Sequence, residues 1–169
     1  MVEFAIVAPV FFFSLVATID GGLLMFVIGS GNHAAGIGEI TLADEGNLAT
    51  ADCDAITNIA AAGLGTTGLD KITEVDIYQL DQDAQGNLSP DGTNYNAYPP
   101  ADIRSNSQCS TDTTAGKFPW PPSSRFVSAS NLTNIGLSIK YTYSYLALNH
   151  PALAVVETRY FRLEPQNNA

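Results

Sequence analysis

A chain of 169 residues with 17 acidic and 7 basic side chains, and a formal net charge of −10, is long enough for one domain with a core and too short for two ordinary ones. The few, scattered Lys and Arg residues argue against nucleic acid as a partner, because each phosphate contact needs a cation. A mean hydropathy of +0.08 conceals a division, since charge is nearly absent before Glu39 and the rest of the chain carries most of it.

Residues 4–19 read FAIVAPVFFFSLVATI without a charge, and GGLLMFVIGSG follows Asp20. As a helix, residues 4–31 would extend about 40 Å at about 1.5 Å per residue, more than the roughly 30 Å of bilayer hydrocarbon requires. Residues 1–31 are therefore assigned as a transmembrane helix, and residues 32–169 as an exported head. A cleavable signal peptide would carry basic residues ahead of its apolar run, and none stands before residue 4. Membrane proteins mark their cytoplasmic end with Lys or Arg, so the expectation is that a basic segment precedes Met1 in the translated chain.

Two carboxylates interrupt this apolar character, Glu3 at the start and Asp20 within it. An ionised carboxylate at the bilayer centre costs about 2.5–3.5 kcal/mol on insertion scales. Two readings stand: Glu3 sits at the interface and Asp20 is protonated, or Glu3 meets the N-terminal amine of a neighbouring subunit and Asp20 is neutralised inside a packed helical bundle. Pro9 removes one helical donor, which membrane helices tolerate. Gly21, Gly22, Gly29 and Gly31 either admit a second helix at close range or loosen a lone anchor. The subunit-packing candidates are Glu3, Phe4, Pro9, Phe12, Asp20, Gly21 and Gly22.

Over residues 32–62 the spacing of Ile56, Ile59 and Ala60 is helical, and Thr50, Asp52 and Asp54 are cap candidates. The spacing predicts a helix that continues, or breaks near residues 44–47 and resumes, until Gly63, Gly65 and Gly68 end it. The period then changes to two. Val75, Ile77 and Leu80 predict a strand, and the turn-rich stretch 81–94 is expected to close a hairpin onto residues 95–98. LSIKYTYSYLA and LAVVETRYFRLE predict two antiparallel strands, with Leu137, Ile139, Tyr141, Tyr143 and Tyr145 on one face. The predicted fold class is α+β: a long N-terminal hydrophobic helix followed by an antiparallel β-sheet head packed on a helix.

Cys53 and Cys109 are the chain's two cysteines, and in an exported head an even count points to a disulfide, worth about 4 kcal/mol in the chain-entropy model. Neither has a second ligand at zinc-finger spacing. His33 and His150 stand in separate contexts, and no nucleophile elbow, phosphate loop or metalloprotease helix occurs, so no enzyme activity and no cofactor are expected. Asp81 and Asp83 have the Asp-x-Asp spacing of a calcium loop, with Gly86 after them, but Gly92 stands where the closing Glu belongs. The same residues make ordinary hairpin turns.

MVEFAIVAPVFFFSLVATIDGGLLMF resembles the N-terminus of TadE-like proteins of the tight-adherence pilus system, through Glu3, Phe4, Ala5, Pro9, Asp20 and Gly21. IKYTYSY and ETRYFRLEP, with Arg162, Glu164 and Pro165, are similar to that family's closing strands; residues 66–134 match only in general pattern. The resemblance implies a prepilin-like precursor in the cell membrane, cleaved by a prepilin peptidase and drawn by a secretion and assembly machine into an extracellular surface filament. Its partners would be further copies of itself or other pilins. Three roles follow: a filament subunit, a minor pseudopilin or anchored assembly factor, and a solitary anchored protein binding a partner through Tyr141, Tyr143, Tyr145 and Tyr160.

Overall fold

The computed structural model describes residues 2–65, 68–99, 120–146 and 151–165. Helix α1 (Val2–Glu45) runs unbroken through the apolar segment and beyond it, with Pro9 inside. It stops where Gly46 adopts φ +58° and donates its N–H to the Leu42 carbonyl at 3.1 Å, a left-handed C-terminal turn that glycine adopts without steric cost. Helix α2 (Ala51–Ala61) resumes after a short turn, so the break falls where the sequence places it. Thr50 precedes α2 but its side chain caps nothing.

Strands β1 (Asp70–Gln82), β2 (Leu88–Tyr98), β5 (Asn134–Tyr143) and β6 (Leu153–Arg162) form an antiparallel sheet in the order β2-β1-β5-β6. The short strands β3 (Val127–Ser128) and β4 (Asn131–Leu132) make a separate two-residue ribbon just before β5. The two expected C-terminal strands pair over their whole length, from Asn134 opposite Arg162 to Tyr143 opposite Leu153. Leu137, Ile139, Tyr141 and Tyr143 all point to one buried face, as the period of two requires. Tyr145 lies past the end of β5, where its ring meets Tyr143 edge-on at 5.3 Å between centroids.

The first hairpin differs from expectation. Its turn is confined to residues 83–87, and the turn-forming residues Pro90, Asp91 and Gly92 lie inside β2. The register slips between Tyr78 and Leu80, and Asp91 Oδ1 accepts the N–H groups of Thr93 and Asn94 at 2.8 and 2.9 Å. β2 is an edge strand, so such residues need no partner on its outer side.

The core is the layer between the helices and one face of the sheet. α1 lies along β5 and β6, and α2 packs against α1. Close approach depends on small residues: Ala34 and Ala35 are fully buried, and a Cβ on Gly38 would stand 2.7 Å from Ile59 Cδ1 and 2.8 Å from Leu137 Cδ2. Gly31, placed by the sequence reading among residues open to another helix, instead leaves room for the Tyr141 ring. The Glu164 N–H donates to the Ala43 carbonyl at 3.2 Å and ties the end of the described chain to the end of α1.

Candidate functional site: the bare helix and its junction with the head

α1 has two environments. Over residues 7–19 no residue is buried, and the exposed side chains include Val10, Phe11, Phe12, Phe13 and Leu15. Phe12, between Phe11 and Phe13, is 63% exposed. Such a surface is unstable in water: fully burying one large apolar side chain gains roughly 1.5–3 kcal/mol, and here five lie together. An apolar face wider than a few hundred Å² marks an interface with protein or membrane. From Val7 onward the helix is long and apolar enough to cross a membrane.

Asp20 ends the bare stretch. It is only 4% exposed, because the segment following β5 covers it. The Leu146 N–H donates to Asp20 Oδ1 at 2.9 Å, and the Tyr143 hydroxyl donates to the Asp20 carbonyl at 3.3 Å. Burial, and then the Asp20 carboxylate beside it, pushes the Tyr143 phenol above its usual range. The sequence identified Asp20 as expensive in lipid but not its partners, which lie 123 and 126 positions away and carry no motif.

The other packing candidates are distributed along the bare helix. Glu3 and Phe4 lie in the first turns of α1, and Pro9 is exposed within it. Gly21 and Gly22 are exposed, with nothing within 4 Å of a Cβ built on either. The change of environment thus falls at Asp20, while α1 itself passes through residue 31 without interruption.

A second polar cluster lies inside the head. Asp52 pairs with Arg125 at 2.7 Å, both side chains being buried, and its Oδ2 accepts from Tyr98 Oη at 2.7 Å and Asn96 Nδ2 at 3.0 Å. Asn96 also grips the Trp120 backbone, accepting its N–H at 2.9 Å and donating to its carbonyl at 2.7 Å, while the Arg125 guanidinium lies 4.5 Å from the Trp120 ring centroid. Burial and the Asp52 carboxylate drive the Tyr98 phenol well above the usual range. Both terminal nitrogens of Arg125, the Tyr98 hydroxyl and the Asn96 amide are turned onto Asp52 or the Trp120 backbone, so the cluster clamps α2 to β2 and the segment around Trp120. Sequence reasoning missed it, taking Asp52 for a cap candidate.

The calcium candidates sit at the β1–β2 turn. Asp83 Oδ1 accepts the Gln85 and Asn87 N–H groups at 2.9 and 2.8 Å, and Oδ2 accepts from Asn87 Nδ2 at 2.8 Å. The Asn87 side chain and backbone hold the Asp83 carboxyl below its usual range. Asp81 pairs with Ser89 in the ladder, and Gly86, at φ +89°, closes the turn. Among the described residues no three His, Cys, Asp or Glu side chains gather at metal-binding distance. Cys53 is half-buried on α2; its expected disulfide partner Cys109 lies outside the described residues.

The tyrosine surface needs correction. Tyr141 and Tyr143 are buried against α1, leaving Tyr160 half-exposed on the opposite face of the sheet. There Gly136 faces Tyr160, and a Cβ on Gly136 would strike the Tyr78 ring, which itself stacks on Tyr95 at 6.0 Å. Alternate tyrosines on one strand fill the core here because α1 presents Gly31 and Asp20 to them.

Residues 1–35 match the protein family described as TadE-like protein, which is the stretch holding Glu3, Phe4, Pro9, Asp20 and Gly21. The similarity of the C-terminal strands lies outside that span. Comparison with curated proteins and with solved structures returned no match.

Proposed function

We propose that this chain is a membrane-anchored, pilin-like, non-catalytic component of a tight-adherence pilus. In this reading it is held in the cell membrane by the bare part of α1 before assembly, and then packs through that part into a surface filament. The observation that carries the reading is the continuity of α1: one helix has an apolar surface on all sides below Asp20 and is built into a folded head above it. The TadE-like match covers that segment and links it to pilus assembly. The exposed Phe, Val and Leu side chains suit lipid and protein neighbours equally, as a subunit moving from membrane to filament requires.

A minor pseudopilin or anchored assembly factor would use the same helix in fewer copies. Electron microscopy of filaments sheared from cells, with mass spectrometry of their subunits, separates the two. A filament composed mainly of this chain supports the structural subunit; filaments made of another protein, with this chain in trace or left in the membrane, support the assembly role. Detection of this chain in neither filament nor membrane removes both.

A further inference from the structure

The lower end of the sheet lies level with Asp20. Leu146, whose N–H bonds Asp20, follows the last residues of β5, and Leu153 begins β6 directly opposite Tyr143. Four apolar side chains ring this junction in contact with solvent: Ile19 on the helix below it, Phe26 above it at 59% exposure, Leu146 at 60% and Leu153 at 38%. They continue the bare surface of residues 7–19 onto the head.

Length fits the same picture. The helical segment between Glu3 and Asp20 spans about 26 Å at about 1.5 Å per residue, close to the roughly 30 Å hydrocarbon core of a bilayer. We propose that the head seats directly on the bilayer, with Glu3 and Asp20 at its two boundaries and with Ile19, Phe26, Leu146 and Leu153 entering the lipid interface as an apolar rim. This rests on reading the bare part of α1 as a membrane anchor. Asp20 is then not a charge at the bilayer centre, and the head supplies its hydrogen-bond donors where the helix leaves lipid.

Charge placement favours lipid as the occupant. Asp44 and Glu45 stand at the far end of α1, and Asp81 and Asp83 at the β1–β2 turn, which the register sets at the opposite end of the sheet from Tyr143. At the junction end Asp70 is buried and Lys71 is exposed. An acidic head arranged this way keeps its negative surface away from the lipid headgroups, which anionic lipids would otherwise repel.

The test uses the full chain in two sets of phosphatidylcholine vesicles brominated on the acyl chains, bromine being a short-range quencher of tryptophan. One set carries it near the headgroup, to report on the rim, and the other near the chain end, to report on position 12, which lies about 12 Å from either boundary. Phe12→Trp, Leu146→Trp, Leu153→Trp and Leu48→Trp are compared with the wild type, whose single Trp120 sets the blank. Position 48, in the turn between the helices, serves as the distal control. Unchanged thermal melts check that each head is folded. The expected result is quenching at 12, 146 and 153 and none beyond the blank at 48. Quenching at 12 with none at 146 and 153 means that the head stands clear of the bilayer, which overturns this proposal and leaves the anchor intact. A blue-shifted but unquenched signal at 146 means that protein, such as a second copy, covers the rim, and overturns it too. No quenching at position 12 removes the anchor reading itself.

Discussion

The two halves of α1 share a secondary structure and much of their composition, yet they are built for different neighbours. Below Asp20 the large side chains Val10, Phe11, Phe12, Phe13 and Leu15 point in all directions, so no face is reserved for the head. Above it the pattern is asymmetric: Val27, Gly31, Ala34, Ala35, Gly38 and Leu42 face the sheet and α2, while Met25, Phe26, Gly29 and Ile40 do not. Helix formation alone therefore says little about where this protein meets water. The size of the residue at each turn decides it, since small residues bring a sheet close and a full ring of large ones leaves only lipid or other helices as company.

That contrast yields separable predictions. The largest effect is expected in the head: Arg125→Leu leaves Asp52 buried without its cation and should lower stability by about 3–5 kcal/mol, seen as a lower midpoint in denaturant, with membrane insertion unchanged. Phe12→Asp should do the reverse, costing about 2.5–3.5 kcal/mol of insertion while the denaturant midpoint of the head stays where it was. A fractionation assay alongside a melt distinguishes the two. Gly38→Val, in the packed half, forces Ile59 and Leu137 apart and should destabilise the head by about 1–3 kcal/mol, whereas Gly22→Val on the open side of the same helix should not move the melt.

The smallest effect concerns pH. Asn87 holds the folded-state pKa of Asp83 below its ordinary value, so its contribution is present above the unfolded value near 3.9 and is lost as pH falls through the depressed folded value. Asp83→Ala should lower the melting temperature slightly at pH 7, and the difference from wild type should vanish once the pH is well below the ordinary carboxylate range.

Much of this was legible in the sequence for identifiable reasons. The apolar run of α1, the period-two strands β5 and β6 and the glycine-rich stop after α2 are local patterns, and each produced the element expected. The β1–β2 hairpin was misjudged because Pro90, Asp91 and Gly92 signal a turn whether they end a strand or kink an edge. The partners of Asp20 and Asp52 were not legible at all. Leu146 contributes a backbone N–H, which every non-proline residue has, and Arg125 is an isolated cation 73 positions from Asp52. Gly31 shows the same limit, since a glycine that accommodates Tyr141 and one that accommodates another helix look identical in sequence.

The central claim is that α1 changes neighbours at Asp20, and cysteine scanning of the full chain in lipid vesicles with a water-soluble thiol reagent, read position by position by mass spectrometry so that the native Cys53 and Cys109 are counted separately, tests it most directly. Cysteines at 10, 11, 12 and 13 should all be protected whichever way they point, while those at 29, 33 and 40 react and those at 34, 35 and 42 do not. Reaction at 10–13 as fast as at 40, or a helical periodicity of protection within residues 7–19, would contradict the account.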